Sequence, residues 1–401
     1  PPISTLFPYT TLFRSVVPST LPATPISGTF KVGTAEVAPN FSTLADAIYT
    51  LNASSIAGDV VLEISSNLTV PENLGLGVNT NGFSITIRPD ADADRTITFT
   101  QLGDNPSPTG HLVIGYQAVG SAWTDANSIA TNNVTIDGYA VGGTTRRLTF
   151  TNTNAPHVAA RLISVVGASQ NTVIKNCIID NKTTSGSSPA CITIVSNKGV
   201  AIDVAPTNVT IDNNILTASG SVGMGVRIAL SGTSTALVNG FVMSNNTVTV
   251  QRRLVEMTNT NGANIFNNTF NLVQTVVPGS LVYGIFGNTG LGTAAMNIYN
   301  NKFNQSTVTE NAATGSWGIR VVQLAGGPSV WNIYNNTFAG MNRIQTGGAA
   351  TLDLSYIQVA FGTANIYHNT FYMPALTSPS APGAYRAINN SNAQNAQKIR
   401  N

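Results

Sequence analysis

Charge is scarce in this sequence. Its 401 residues include 19 Lys and Arg, 17 Asp and Glu, and only 2 Cys. Charged residues make up 9% of the chain, whereas a soluble domain usually has about 25%. Two cysteines are too few for a disulfide scaffold, and no apolar run approaches the roughly 18 residues of a membrane-spanning helix. A net charge of +2 gives no reason to expect nucleic acid as a partner.

The two parts of the chain carry opposite charge. Residues 28–137 hold 11 acids and 3 bases, whereas residues 138–401 hold 15 bases and 6 acids. A drift in composition without consequence is the favoured interpretation of this separation; self-association, end to end or laterally, is the alternative. Residues 1–15 resemble translated sequencing-adapter DNA and lack the pattern of a signal peptide, so we set them aside. Residues 16–27 are rich in Pro, Ser and Thr and predict a linker.

Asparagine is abundant, with 45 residues, and much of it belongs to a repeat. The copies read VIKNCI, IDNNIL, MSNNTV, IFNNTF, IYNNKF, IYNNTF and IYHNTF, and VTIDGY precedes them with Gly138 in the aligned place. The interval between copies varies, as expected for one minimal coil and others with inserted loops. Aligned on the second Asn where there are two, the repeat predicts a ladder of Asn176, Asn214, Asn246, Asn268, Asn301, Asn336 and Asn369.

The columns of this alignment predict a parallel β-helix. The residues three before and two after each aligned Asn are apolar in every copy, from Val173 and Ile178 onward, so they should face inward. An Asn tolerates the left-handed turn between two short strands, and stacked Asn amides can hydrogen-bond from coil to coil. A second strand precedes each copy. Several strands in each coil, repeated in register, indicate a solenoid, because a sandwich would show hairpin turns every 8–12 residues.

The region before the repeats predicts an N-terminal cap. Residues 40–48 have the pattern of an amphipathic helix with Ser42 as its N-cap. Leu44, Ile48 and Leu51 should lie on the buried face. The runs VVLEI and ITIRP that follow predict strands. We therefore divide the chain into a cap with the first coils, residues 28–130, and the β-helix repeats, residues 131–401.

These motifs resemble a known superfamily. The FSTLADAI helix and the VVLEI strand resemble the N-terminal cap of pectate-lyase-like right-handed parallel β-helix proteins. The runs NNVTIDG, RRLTFTNTN, NTVIKNCII and NVTIDNNIL are similar to secreted β-helix proteins of Bacteroidota, which often carry a C-terminal type IX sorting domain. The resemblance covers residues 28–401. It implies an all-β right-handed parallel β-helix with an asparagine ladder and a capping helix, located extracellularly or at the cell surface.

The last repeat stops early. Asn332-Ile333-Tyr334 recurs at Asn365-Ile366-Tyr367, and one further step of the same length leads to Lys398-Ile399-Arg400-Asn401. The next residue would be a ladder Asn. We therefore expect a C-terminal end that is truncated or that stacks on another subunit.

Catalytic motifs of the superfamily are missing. Glycoside hydrolysis needs one acid to protonate the leaving oxygen and another to activate water. The family supplies them through N-x-D, D-D and G-H-G motifs, whereas this chain has no Asp-Asp pair and Gly110-His111 is followed by Leu112. Pectin methylesterase motifs are also absent. His111, His157 and His368 have no motif of a Ser-His-Asp set around them, and no cofactor motif is present.

Polysaccharide lyase chemistry needs a base, usually Arg or Lys, and often Ca²⁺. Arg252 and Arg253, near Glu256, form the best basic cluster. Aligned outward positions of the second strand predict one face bearing Arg227, Glu256, Phe286, Arg320 and Gln358. A solvated strand face with ion pairs between coils is the alternative to a substrate groove.

Two further features have competing interpretations. Asp90, Asp92 and Asp94 resemble the start of an EF-hand, but Arg95 replaces its Gly and Gln101 its Glu, so the sequence predicts a solvated turn, with a cation site as the alternative. Cys177 and Cys191 belong to neighbouring strands and are either a disulfide or two free buried thiols.

An aromatic file lies two residues before the ladder Asn. Earlier copies have Asp212 and Ser244 in this column, so the column should face outward. Four consecutive aromatics there could stack on one another, contact a protein, or stack on sugar rings. The file consists of Phe266, Tyr299, Tyr334 and Tyr367.

These features favour a non-catalytic extracellular protein with a structural or adhesive role. It would be a rod that displays loops, or a subunit of an extracellular assembly. The alternative is a carbohydrate-active β-helix enzyme, most plausibly a polysaccharide lyase, or a glycan-binding module. Polysaccharide is then the expected partner.

Overall fold

The computed structural model describes most of the chain from residue 24 onward. The described ranges are 24–100, 110–117, 124–153, 161–184, 189–198, 201–220, 223–231, 233–273, 282–304, 306–311, 317–324, 329–347, 352–372, 385–391 and 397–400. The adapter-like residues 1–15 and His157 lie outside them.

Three long sheets of parallel strands build the molecule, and most coils contribute one strand to each sheet. Sheet 1 has 12 strands, at Pro25–Val32, Ser55–Ile64, Ile85–Pro89, Val134–Asp137, Val173–Lys175, Thr210–Asp212, Val238–Ser244, Thr260–Phe266, Met296–Tyr299, Val330–Tyr334, Thr363–Tyr367 and Gln397–Arg400. Sheet 2 has 11 strands, at Leu74–Leu76, Leu112–Ile114, Arg161–Val166, Ala190–Lys198, Met224–Ser231, Arg253–Met257, Val282–Gly287, Trp317–Leu324, Leu352–Val359 and Tyr385–Asn390, with Asp203–Val204 paired antiparallel to Ala190–Lys198.

Sheet 3 has 10 strands, at Leu68–Val70, Arg95–Phe99, Leu148–Asn152, Ile178–Asn181, Ile215–Ala218, Thr247–Val250, Thr269–Leu272, Lys302–Phe303, Thr337–Phe338 and Thr370–Phe371. A small extra sheet pairs Ser306–Asn311 with Met341–Gly347. The repeats run from sheet 1 through a short turn to sheet 3, then to sheet 2, and back to sheet 1 in the next coil. The prediction of a right-handed parallel β-helix is confirmed.

The core lies between the three sheets and consists of files of matching side chains. Sheet 1 contributes isoleucines and one methionine, which stack in register from Ile211 to Ile366. Sheet 3 contributes Leu216 and Val248, then phenylalanines from Phe270 onward. Equivalent strands of adjacent coils lie about 4.8 Å apart, so each side chain packs directly on its counterpart and the core excludes water.

The turn from sheet 1 to sheet 3 depends on pairs of asparagines. The first Asn of a pair has a positive φ, for example 53° at Asn213 and 57° at Asn267, and His368 takes the same place with 54°. The second Asn points inward. Its Nδ2 donates to the Oδ1 of the second Asn in the next coil at 3.0–3.1 Å, along the file Asn214, Asn246, Asn268, Asn301, Asn336 and Asn369. We call this row the asparagine file.

The register of one repeat differs from the sequence alignment. Lys175 pairs with Asp212, which puts Asn176 beside Asn213 and Cys177 beside Asn214. Asn176 therefore occupies the outer turn position, with φ of 60°. The alignment of Asn176 with the inward asparagines was wrong by one residue, because this copy has a single Asn to align.

The same slip reverses the faces of that copy, since neighbouring residues of a strand point to opposite sides. Ile174 and Ile179 are buried in the core, whereas Val173 and Ile178, which we predicted to face inward, are half-buried. Val173 and Ile174 are both apolar, as are Ile178 and Ile179, so the sequence alone does not show which residue of each pair faces the core.

The N-terminal cap is a helix, Leu44–Ala53, which covers the first coil. Its buried face comprises Leu44, Ala47, Ile48 and Leu51. The N-cap is Thr43, whose side chain accepts a hydrogen bond from the Asp46 N–H, so the assignment of Ser42 was wrong by one residue. The other helical segment is a single 3₁₀ turn, Asp125–Asn127. Neither helix in the described part of the chain is long and apolar enough to cross a membrane.

Candidate functional site

The outer face of sheet 2 owes its composition to pairs of consecutive core residues in its strands. Leu254 and Val255 are consecutive, yet both lie in the core. The same doubling recurs at the matching positions of neighbouring strands, such as Leu162 and Ile163. Two inward residues in succession leave the residues before and after them, Arg253 and Glu256, on the same outer face.

The strand register continues these two backbone positions as two outer files in sheet 2. One runs through Arg161, Ala190, Met224, Arg253, Tyr283, Arg320 and Ser355. The other runs through Ser164, Thr193, Arg227, Glu256, Phe286, Gln323 and Gln358. Most of the predicted outward face, from Arg227 to Gln358, thus lies in one file.

Arg320 is the exception: the sequence alignment predicted it in this file, but the strand register places it in the other one. Its backbone pairs with Tyr283 and Ser355, and Gln323 occupies the predicted position beside Phe286. Gly318-Ile319-Arg320 resembles Gly225-Val226-Arg227 in sequence but lies three residues earlier in the coil. The side chain of Arg320 lies outside the described part of the structure.

Glu256 is the centre of a charged cluster. Its Oε1 lies 2.6 Å from Nη1 of Arg253, and its Oε2 lies 3.3 Å from Nε of Arg227. The Glu256 side chain is only 5% exposed, and those of Arg253 and Arg227 are 15% and 23% exposed. The carboxylate is therefore buried between two guanidinium groups.

Arg161 and Arg252 complete the cluster. Burial, and then the positive charge of Arg227, lower the pKa of Arg161 to about 9. Burial lowers the pKa of Arg252 as well, followed by the neighbouring charge of Arg253. We call Arg161, Arg227, Arg252, Arg253 and Glu256 the arginine cluster. Arg161 was not among the predicted site residues, because it lies far before Arg253 in the sequence and only the register of the coils brings it near.

Two aromatic rings border the cluster on the next coil. The rings of Tyr283 and Phe286 stack with centroids 4.3 Å apart and planes 10° from parallel. The Arg253 guanidinium carbon lies 5.4 Å from the Tyr283 ring centroid and 5.2 Å from that of Phe286. Cation–π attraction holds the Arg253 guanidinium against these two rings, which we call the aromatic wall.

Chemically, the cluster suits binding of anions. Acid–base hydrolysis of a glycoside needs two carboxyl groups. Here Glu256 is held by two arginines, and other acids of the repeats have partners elsewhere: Asp180 lies 3.8 Å from Lys182, Asp203 accepts hydrogen bonds from Ser234, Thr235 and Ala236, and Asp212 accepts from Ser244 and Asn245.

A second surface lies on the outer face of sheet 1. Phe266, Tyr299, Tyr334 and Tyr367 pair in register, with ring centroids 4.9–5.0 Å apart and planes within 6° of parallel. We call them the aromatic strip. At this spacing each ring face is turned toward the next ring, so ring edges and phenol oxygens reach solvent. This geometry favours contact with a protein over stacking on a sugar, which needs a free ring face.

An amide file runs beside the aromatic strip. The side chains of Asn264, Asn297, Asn332 and Asn365 hydrogen-bond from coil to coil at 2.8–2.9 Å. Toward the N-terminus the column of the strip changes to alternating charges, with ion pairs Arg88–Glu63 at 2.8 Å and Lys175–Asp137 at 3.1 Å. These ion pairs could be predicted from the sequence, because residues of opposite charge occupy the same repeat position in adjacent coils.

The three candidate metal-binding aspartates are paired with arginines. Asp90 lies 2.8 Å from Arg95, and Arg147 lies 2.7 Å from Asp92 and 3.0 Å from Asp94. The hydrogen bond from Arg147 lowers the pKa of Asp92. The described residues contain no group of three His, Cys, Asp or Glu side chains that could hold a metal ion.

Cys177 and Cys191 are free and buried. Burial raises the pKa of both thiols. Of the histidines, His111 is buried, with Nδ1 2.9 Å from Oδ1 of Asn73, and stacks on Phe99. His368 is an exposed turn residue.

Comparison with known proteins finds similarity in architecture only. No family model and no curated protein matches the chain. The surface protein and adhesin PfbA of Streptococcus pneumoniae is 13% identical, with a TM-score of 0.41, over 89% of this chain and 95% of that chain. The catalytic domain of a GH87 alpha-1,3-glucanase in complex with nigerose is 13% identical, with a TM-score of 0.38, over 94% and 69%. The Family 28 exopolygalacturonase of Yersinia enterocolitica is 11% identical, with a TM-score of 0.33, over 88% and 75%.

Proposed function

We propose that this protein is a non-catalytic extracellular β-helix with a structural or adhesive role. It would stand as a rigid rod on a cell surface or assemble with other copies. The aromatic strip and the adjoining amide file carry this proposal. Over four coils they form an uncharged outer face whose side chains are fixed by their neighbours.

Fixed side chains lose little conformational entropy when they meet a partner, which lowers the cost of association. Tyrosine also suits interfaces, since its ring is apolar and its hydroxyl forms hydrogen bonds. The face continues the repeat without interruption, so lateral contact between rods can extend over several coils.

Electron microscopy and sedimentation of the protein without residues 1–15 test this function. We expect filaments or concentration-dependent association, and dispersed rods for the double variant Tyr299→Ser/Tyr334→Ser. Tyr372→Ser is the matched control, because Tyr372 is exposed but lies outside the strip. Monomeric rods at every concentration, together with no binding to cells, would contradict the proposal.

Polysaccharide binding, with or without lyase activity, is the second candidate function. The arginine cluster and its aromatic wall favour it, because they concentrate scarce charges on one outer face. A panel of polysaccharides separates the two: release of unsaturated products would indicate a lyase, and binding without product would indicate an adhesive module.

A further inference from the structure

The arginine cluster has more positive charge than its own residues neutralise. It contains four arginines and one glutamate. Glu256 pairs with Arg227 and Arg253 and leaves an excess of three positive charges. Partly buried like charges repel one another strongly because little water screens them.

Hydrogen-bond donors in the cluster are also left over. The Nε atoms of Arg161, Arg227, Arg252 and Arg253 are buried and hydrogen-bond to none of the described residues; that of Arg227 is near enough to Glu256 for an ion pair only. The hydroxyl of Thr193, beside Arg227 in the same file, also has no hydrogen bond to a described residue. Oε2 of Glu256 is also buried without a hydrogen bond, but one oxygen cannot satisfy four Nε donors and the Thr193 hydroxyl. A buried donor without a partner costs free energy, so this excess of donors points to a missing acceptor.

The register shows where that acceptor would lie. Arg161 is three coils before Arg253 in one outward file, so the two side chains can approach the same space from opposite ends. Ala190 and then Met224 lie between them in that file, and the small side chain of Ala190 leaves room next to Arg161. Thr193 and Arg227, from the parallel file, border the space on its other side.

We propose that the arginine cluster binds a tetrahedral oxyanion, the sulfate or phosphate group of a glycan. Donors that converge from three directions match a group with at least three free oxygens. A carboxylate offers two oxygens and one charge, and Glu256 already supplies a carboxylate. Guanidinium groups bind such oxyanions with paired, charge-assisted hydrogen bonds. The assignment of the oxyanion rests on the arginine cluster alone. The assignment of a glycan as the molecule that carries the oxyanion rests on the second candidate function, polysaccharide binding.

Titration calorimetry and thermal unfolding with inorganic sulfate, inorganic phosphate, dextran sulfate, unsulfated dextran and polygalacturonate test the site. We expect the sulfated polymer and the inorganic ions to bind and to raise the unfolding midpoint. Arg161→Gln and Arg252→Gln should each weaken this binding about tenfold, the effect of one charge-assisted hydrogen bond. Arg147→Gln, which removes the same charge on another face, should leave binding unchanged.

The outcomes distinguish the two levels of the proposal. If the inorganic ions bind and Arg161→Gln weakens this binding, while no polymer binds, the oxyanion site is supported but a glycan is not the source of the oxyanion. Equal binding by the wild type, Arg161→Gln and Arg252→Gln would overturn the site itself, as would tighter binding of polygalacturonate than of dextran sulfate. Circular dichroism of each variant identifies any that fails to fold, and Arg161→Lys then tests the position with its charge kept.

Discussion

Cys177 lies beside Asn214 across two neighbouring coils, and its backbone N–H donates to Oδ1 of Asn214 at 2.9 Å. Its Sγ lies 3.1 Å from the carbonyl oxygen of Lys175, two residues earlier. Asn268 donates to Phe266, two residues earlier, in the same way. Cys177 therefore occupies the place of an asparagine at the N-terminal end of the asparagine file.

Cys177→Asn should consequently be tolerated. The new amide can donate to Asn214 and to the Lys175 carbonyl, so we expect the free energy of unfolding to change by no more than about 1 kcal/mol. Cys191→Asn is the matched control. Its Nδ2 could donate to the carbonyls of Ile179 and Thr217, which Sγ of Cys191 approaches at 3.5 Å and 3.2 Å, but its Oδ1 would be buried among core side chains and should cost about 3 kcal/mol. Urea denaturation measures both, and equal losses would contradict the assigned register.

The repeat predicts the β-helix and most of its register, because inward apolar residues and paired asparagines recur in every coil. It fails where the local sequence is ambiguous. Asn176 has no second Asn to fix its alignment, and Arg320 sits in a Gly-Ile-Arg triplet that imitates Gly225-Val226-Arg227. Only pairing between strands resolves such one- and three-residue shifts.

The asparagine file should contribute strongly to stability. Asn268 donates from Nδ2 to the carbonyls of Met243 and Phe266 and to Asn301, each at 3.0 Å. Asn268→Ala removes these donations and also the Oδ1 that accepts from the backbone N–H and the Nδ2 of buried Asn246, so it should lower the free energy of unfolding by about 3 kcal/mol. Chemical denaturation measures the loss.

Asn264→Ala is the control for Asn268→Ala. Asn264 is exposed and accepts one hydrogen bond, from Asn297 at 2.9 Å. Its loss should change stability by about 0.5 kcal/mol or less. If the two variants lower the free energy of unfolding equally, the asparagine file has no special role in stability.

Glu256 should be essential to the stability of the arginine cluster. Glu256→Gln removes the negative charge that Arg227 and Arg253 share and leaves buried cations without a counter-charge. We expect a loss of about 3 kcal/mol at low salt. Added sodium sulfate should restore part of it, because the anion can take the place of the carboxylate charge. Urea denaturation with and without sulfate measures this recovery.

Glu63→Gln is the control for that variant. Glu63 pairs only with Arg88, and their side chains are 16% and 25% exposed. The substitution should cost about 0.5 kcal/mol, and sulfate should not change this cost. A loss at Glu256 that sulfate leaves unaltered would contradict the excess of positive charge.

The candidate site was less predictable than the fold. Arg252, Arg253 and Glu256 are neighbours in sequence, so their clustering is visible there. Arg161 and Tyr283 join them only through pairing between strands. The burial of both Leu254 and Val255 in the core also has no sequence signal in a single strand, since consecutive apolar residues are common in buried strands.

The aromatic strip should weaken at high pH. Burial raises the pKa of Tyr334 above its usual value of 10.0, and the neighbouring phenols of Tyr299 and Tyr367 raise it further. The folded state thus favours the neutral phenol. Its contribution to stability is complete below about pH 10, the pKa in the unfolded chain, and is lost as the pH rises through the higher pKa of the folded state.

Tyr334→Phe removes this titration and keeps the ring in the stack. Its stability should therefore decline less than that of the wild type between about pH 9 and pH 12. Tyr372→Phe, outside the strip, should follow the wild-type curve. Denaturation at each pH, together with the ultraviolet absorbance of phenolate, measures the difference. If Tyr334→Phe and the wild type lose stability in parallel, the folded state does not raise the pKa of Tyr334. If association by the strip persists unchanged in the phenolate state, the strip is not the surface on which rods meet.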